Sequence, residues 1–298
     1  MIAVWLQAFR LRTLPLSLAC IGMAGFLAAA QNAFNIGLFL LCCITTIFLQ
    51  ILSNLANDYG DSIHGADHAG RQGPPRTVQT GAITASQMKL AIVVLVGLCL
   101  VSGLRLLYVA FGTDVQAILL FLLLGVASIV AAIGYTVGKK PYGYIGLGDF
   151  SVLIFFGLVG VMGSLYLFTK TFRWLDVCPA LSCGLFSVGV LNINNMRDID
   201  SDRQAGKYSI PVRIGNRNAA VYQCLLMAGA TLAAIVYVVL SYRSPFQALF
   251  LVTLPLQVHI AKAVVTLPAL QLDPYLKKMA LTTLAFVLFF GAGLLLSV

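Results

Sequence analysis

The chain has 298 residues, of which 60% are hydrophobic and only 10% charged, with a mean hydropathy of +0.94 and a formal net charge of +9. A soluble domain carries roughly 25% charged residues, so a soluble globular fold is excluded and the chain reads as an integral membrane protein. The positive charge fits inside-positive topology and attraction to anionic lipid, so no nucleic-acid partner is expected.

Without water in the bilayer core, a spanning backbone must satisfy itself as helices or a closed barrel, and each helix needs roughly 20 apolar residues. The apolar runs here are continuous rather than alternating, which selects helices. The first run, 14–31, follows Arg10 and Arg12 and ends near Ala28-Ala29-Ala30. It has the outline of a signal peptide with a cleavage site. It is nevertheless long enough to span, and a short turn at 32–35 leads directly into the second run, so an uncleaved span is expected. The remaining runs are 36–56, 88–111, 115–137, 148–168, 177–196, 218–241, 246–267 and 277–297. The expected fold class is all-α integral membrane, a bundle of about nine transmembrane helices.

Connections 32–35, 112–114 and 242–245 are short, whereas 57–87, 138–147 and 197–217 are long or polar. One membrane face therefore carries tight turns and the other carries the loops. With the N-terminus inside, 15 of the 19 lysines and arginines fall on the loop face. Lys170, Arg173 and Arg243 fall on outer turns, and Arg105 lies within a span. The bias makes the three long loops cytoplasmic, where they would cap a site in a single membrane domain of the cell, or inner, membrane.

The seven cysteines form no CxxC pair and read as small apolar fillers. His64 and His68 are four residues apart, yet Gly65 and Gly70 mark that segment as loop. His259, alone in the eighth span, reads as an interhelical polar residue.

All ten acidic residues are aspartates, and six fall in two clusters. The first holds Asn57, Asp58, Asp61 and Asp67; the second holds Asn194, Asp198, Asp200 and Asp202. Asn57 with Asp61, Asn194 with Asp198, and Asp198 with Asp202 are i, i+4 pairs, a spacing that stacks side chains along one helix face. The columns end spans two and six, four spans apart, as in an internal duplication of a four-helix unit that turns them toward each other. Facing carboxylates repel unless a cation sits between them, and hard oxygen ligands suit Mg²⁺ completed by a phosphate or diphosphate substrate. The basic residues Arg71, Arg76, Lys139, Lys140, Arg197, Arg203, Lys207 and Arg213 suit the same anion. The plainer alternative for one such cluster is a hydrated loop; two in equivalent places favour a site. A secondary transporter is the rival from another class, but its ionisable groups would lie near the midplane.

These residues resemble the UbiA superfamily of intramembrane prenyltransferases. The resemblance rests on the paired motifs Asn57-x-x-x-Asp61 with Asp67 and Asn194-x-x-x-Asp198-x-x-x-Asp202, and on Tyr135-x-x-x-Lys139. Leu52 to Asp61, Gly73-Pro74-Pro75-Arg76, Lys140 to Asp149 and Asn194 to Asp198 are similar to its naphthoate-prenylating branch. The spacing from Asp61 to Asp67 is longer than in the hydroxybenzoate branch, which is the runner-up. The resemblance implies a UbiA-type bundle and transfer of a polyprenyl group from polyprenyl diphosphate to 1,4-dihydroxy-2-naphthoate, with loss of carbon dioxide and diphosphate, in menaquinone biosynthesis. It implies Mg²⁺ held by Asp61, Asp67, Asp198 and Asp202 with help from Asn57 and Asn194. Asp58 and Asp200, off the columns, remain open between a second Mg²⁺, orienting basic neighbours and hydration. Tyr135, Lys139, Arg76, Arg203 and Lys207 would bind the diphosphate. Asp61, Asp198, Asp202 and Lys139 would carry catalysis. Asp149 is a candidate acceptor residue, with a helix cap as the equal alternative. Phe155, Phe156, Gly157, Gly160, Gly163 and Tyr166 are candidates for the wall of a prenyl tunnel, and core packing explains them equally well.

Overall fold

The computed structural model describes residues 1–64 and 76–297, and Asp67 with its neighbours lies outside them. Among the described residues there are helices and turns only, and nine helical segments are long and apolar enough to cross a membrane.

The first segment is bent. Helix α1 (Ile2–Phe9) stops at Arg10, whose φ of 48° and ψ of 56° are left-handed, and after a turn at Leu11–Thr13 helix α2 (Leu14–Ala30) enters the bundle with Pro15 in its first turn. Helix α3 (Ile36–Ile63) is capped by Asn35, which accepts from Leu38 N at 3.0 Å. It runs seven residues past the expected end at 56, because the polar Asn57–Asp61 stretch is still helical. Helix α4 (Ala85–Phe111) opens on a Thr84/Gln87 capping box, and α5 (Val115–Gly134) opens on Asp114, which accepts from Ala117 N at 3.0 Å.

The fifth span is composite: α6 (Gly148–Val152), a π-helical stretch Leu153–Gly163 and α7 (Ser164–Thr169). Its Gly157 lies against Gly184 of α8 (Val177–Arg197), where an added Cβ on Gly157 would stand 3.2 Å from the Gly184 Cα. Small residues let these two backbones approach. A short α9 (Ile199–Gln204) precedes α10 (Ile210–Leu240), which kinks at Gly215, φ 79°. A 3₁₀ stretch Pro245–Thr253 continues into α11 (Leu254–Thr266), and α12 (Asp273–Leu295) closes the bundle.

Helix α12 packs on α2 and α8, and α8 packs on α10 and the π-helical stretch. Phe186, Phe250, Phe286 and Phe290 fill the centre, with ring centroids 4.7 Å apart for Phe186 and Phe286. Leu90, Val93, Leu120, Leu123 and Val239 point outward, as lipid-facing surface requires. The helices leave a cavity of about 450 Å³ within the bundle.

Candidate active site

The cavity is apolar along most of its length, where Leu16, Ile21, Leu104, Leu107, Phe121 and Phe156 form its wall. Of the residues expected there, Phe155, Phe156, Gly160 and Gly163 line it. Gly157 is spent on the contact with Gly184, and Tyr166 stacks on Phe121 at 5.4 Å.

Its other end is polar and gathers Asn57, Asp61, Arg76, Tyr135, Asn194, Asn195 and Lys207. These come from α3, the turn that begins at Arg76, the end of α5, α8 and the α9–α10 connection. Asp61 accepts from the Tyr144 hydroxyl at 2.9 Å and from Arg76 Nη2 at 3.1 Å. Thr136 donates to Asn57 Oδ1 at 3.2 Å and to the Ala56 carbonyl at 3.0 Å, which holds the segment after α5 against α3. That approach requires Gly60: a Cβ there would stand 2.6 Å from the Thr136 carbonyl oxygen. The His64 ring nitrogens lie 2.9 Å from the Gly60 and Gly138 carbonyls and tie the same two segments.

The second column is broken rather than continuous. Helix α8 ends at Arg197 and α9 begins at Ile199, so Asp198 sits at the junction with φ −96°. Asp198 is gripped by Arg197 through Nε at 2.8 Å and Nη2 at 2.6 Å. The same guanidinium donates to Asn194 Oδ1 at 3.0 Å and pairs with Asp273 of α12. Asp202 pairs with Lys207 at 3.0 Å, both largely buried. Burial raises the Asp202 pKa; Lys207 opposes the rise, while the charges of Asp198 and Asp61 add to it. Burial alone would lower Lys207, but attraction to Asp202 and Asp61 outweighs it and the ammonium is held charged. Tyr135 is raised by burial, so its hydroxyl keeps its proton and can donate. Asn57 and Asp61 of the first column and Asn194 of the second line the same cavity mouth.

Other expected residues stand elsewhere. Asp58 turns from the cavity and accepts from the Thr77 hydroxyl at 2.6 Å. Lys139, Asp200 and Arg203 are exposed. Asp149 is buried and accepts from the Tyr222 hydroxyl at 3.0 Å, away from the cavity wall. Asp67 lies outside the described residues. Residues that sequence reasoning missed are Tyr144, Thr136, Thr77 and Asp273. Tyr144 falls inside the Lys140 to Asp149 segment already singled out; the others carry no sequence signal.

Among the described residues no three histidine, cysteine or acidic side chains are grouped closely enough to hold a metal ion. The donor chemistry nevertheless fits a hard cation: Asn57, Asp61 and Asn194 offer oxygens to the cavity, and Asp198 and Asp202 stand beside them in ion pairs with Arg197 and Lys207.

The fold and site together define a multi-pass helical membrane protein in which a pocket of basic and oxygen-bearing side chains opens into an apolar cavity. The chain belongs to the UbiA prenyltransferase family, whose model matches residues 17–281. It is 45% identical over 294 residues to the 1,4-dihydroxy-2-naphthoate octaprenyltransferase of Escherichia coli strain K12, covering 98% of this chain and 95% of that one. It is 41% identical to the enzyme of the same name from Haemophilus influenzae, covering 98% and 96%. Among solved structures, a UbiA homolog from Archaeoglobus fulgidus bound to GPP and Mg²⁺ superposes with a TM-score of 0.69 at 15% identity, covering 98% and 99%. A UbiA homolog from Aeropyrum pernix K1 gives 0.67 at 19% identity, covering 96% and 97%.

Proposed function

We infer that the protein transfers a polyprenyl group from polyprenyl diphosphate to 1,4-dihydroxy-2-naphthoate, with loss of carbon dioxide and diphosphate, in menaquinone biosynthesis. The observation that carries this reading is one cavity with two chemistries: an apolar length for a prenyl tail and a polar mouth built from Asp61, Arg76, Tyr135, Asn194 and Lys207. Identity of 45% and 41%, each over 98% of the chain, to enzymes named 1,4-dihydroxy-2-naphthoate octaprenyltransferase supports the acceptor.

Lys207, held charged, and the protonated Tyr135 hydroxyl donate to the diphosphate, with Arg76 beside them. Asp61, Asn57 and Asn194, with Asp198 and Asp202 nearby, would hold Mg²⁺, which would supply the further positive charge that makes diphosphate a good leaving group. The apolar wall holds the tail and keeps water from the allylic carbon as its bond to oxygen breaks. An electron-rich ring carbon of the naphthoate forms the new bond to that carbon. Its carboxylate then leaves as carbon dioxide, and the electron pair returns to the ring. The loop-rich end, rich in lysine and arginine, faces the cytoplasm in the inner membrane in this reading. Lys139 and Arg203, exposed in the structure, remain proposed diphosphate ligands, and Asp67 a proposed metal ligand, to be tested by substitution.

The test is purified protein in detergent with Mg²⁺, a polyprenyl diphosphate and either dihydroxynaphthoate or 4-hydroxybenzoate. A prenylated naphthoquinol formed only with the former is the expected result. Prenylated hydroxybenzoate as the product would move the acceptor to the runner-up branch, and no product with either would overturn the reading.

A further inference from the structure

A second cavity, of about 310 Å³, adjoins the first. It lies under the bend between α1 and α2, and the two cavities share Arg10, Arg12, Arg76 and Asn194. The remaining polar walls are Gln7, Arg197, Thr77 and Asp58, with Leu6 and Leu11 completing the lining. Four guanidiniums against one carboxylate make it a place for an anion. Two of those guanidiniums are already committed, Arg76 to Asp61 and Arg197 to Asp198 and Asp273. Arg12 makes no hydrogen bond or ion pair among the described residues.

The bend that brings Arg10 and Arg12 over this cavity is built. Arg10 holds a left-handed conformation that side-chain-bearing residues adopt at a cost of order 1–3 kcal/mol, so something must hold it. Asn54 of α3, 3% exposed, does so by donating to the Phe9 carbonyl at 2.9 Å and to Thr13 Oγ1 at 3.0 Å, on either side of Arg10.

Asp58 supplies the second clue. It is 1% exposed; Oδ2 is taken by Thr77, while Oδ1 is buried with no hydrogen-bond donor among the described residues. A buried carboxylate oxygen left unmatched costs free energy until something donates to it. The ligand that answers both halves of the cavity carries an anionic group for Arg12 and an O–H donor for Asp58. A hydroxylated aromatic carboxylate has both. The volume lies at the small end of the roughly 300–1,000 Å³ typical of ligand pockets, which suits a bicyclic acid and not a polyprenyl chain.

We propose that this second cavity is the acceptor site: Arg12 grips the carboxylate of the aromatic acid, and Asp58 Oδ1 accepts a hydrogen bond from a ring hydroxyl. The assignment rests on the naphthoate reading above and completes it. The shared wall of Arg76 and Asn194 places the ring one side chain from the mouth that takes the diphosphate, where a ring carbon can reach the allylic carbon. Leu6 and Leu11 supply apolar cover for the ring.

The experiment compares wild type, Arg12→Gln, Arg12→Lys and Asp58→Asn in detergent, reading KM for donor and acceptor separately. Direct binding of 2-naphthoate, which has the carboxylate but no ring hydroxyl, is followed by fluorescence. Arg12→Gln is expected to raise KM for dihydroxynaphthoate roughly tenfold or more, the scale of a lost charged hydrogen bond. It should weaken 2-naphthoate binding in parallel and leave KM for the donor unchanged, with Arg12→Lys recovering part of the loss. Asp58→Asn keeps an oxygen for Thr77 and is expected to weaken dihydroxynaphthoate while leaving 2-naphthoate binding as it was. If Arg12→Gln raises KM for the donor instead, or leaves acceptor KM unchanged, the site is wrong. Equal weakening of both aromatic acids by Asp58→Asn overturns the hydroxyl contact. Wild type that binds 2-naphthoate through Arg12 yet transfers nothing to dihydroxynaphthoate contradicts the function proposed above and leaves the acid site standing.

Discussion

Arg197 holds Asp198 in a two-pronged contact, Nε at 2.8 Å and Nη2 at 2.6 Å, with both side chains sealed from solvent. The same guanidinium reaches Asp273 across the bundle and Asn194 one turn back, so α8 and α12 are pinned through one residue beside the site. Removing one partner of such a buried pair strands the other charge, at a cost of about 3–5 kcal/mol. Arg197→Ala is therefore expected to lower the unfolding midpoint in detergent sharply. Arg197→Lys, which keeps the charge but loses the planar fork, should fold and lose activity more than stability. Thermal unfolding beside turnover separates the two.

Gly60 makes a different prediction. A Cβ there meets the Thr136 carbonyl at 2.6 Å, backbone that cannot step aside cheaply. Gly60→Ala should cost about 1–3 kcal/mol as overpacking and displace Asn57 and Asp61. Gly97→Ala on α4 meets nothing within 4 Å and serves as the control, unchanged in both unfolding and activity.

The apolar length of the cavity can be narrowed without a clash. Gly103 lines it, and a Cβ there meets nothing within 4 Å. Gly103→Leu is expected to reduce turnover of long polyprenyl diphosphates several-fold while sparing a short donor. Comparing octaprenyl and geranyl diphosphate checks this, and equal loss with both donors would contradict a tail bound along that wall.

How much of this was legible in the sequence depends on which physics sets each feature. The spans follow from the bilayer, which demands long apolar helices, and so the nine runs could be read directly. The meeting of the two columns followed from i, i+4 spacing at equivalent span ends. Neither signal carries the break at Asp198: it comes from a helix ending at Arg197, whose side chain then folds back onto its own neighbour. Asp58, off the column and open in role at the level of sequence, is met by Thr77, a partner 19 positions away that no local spacing points to. The π-helical fifth span and the kink at Gly215 were equally silent, since hydropathy reads length and not winding.

Alkaline pH supplies a test of the Lys207 environment. Its pKa is raised above that of the unfolded chain, so the native state holds that proton more tightly. The resulting stability is fully present below the ordinary lysine value of about 10.4 and is lost as pH rises through the higher folded value. Tyr135, also raised, adds stability lost over the alkaline range above about 10. Unfolding free energy should therefore fall steeply above about pH 10, with Lys207→Gln and Tyr135→Phe each reducing the slope. A slope unchanged in both variants would contradict the buried charge network.

The mouth built around Asp61 is proposed to activate a prenyl diphosphate for attack by dihydroxynaphthoate. Release of carbon dioxide from carboxyl-labelled dihydroxynaphthoate, measured with purified protein, tests it most directly. Release is predicted to require both polyprenyl diphosphate and Mg²⁺, to stop on chelation, and to fall at least a hundredfold, an effect of about 2.7 kcal/mol, in Asp61→Asn. Carbon dioxide release that persists after chelation, or that survives Asp61→Asn at the wild-type rate, would contradict the account.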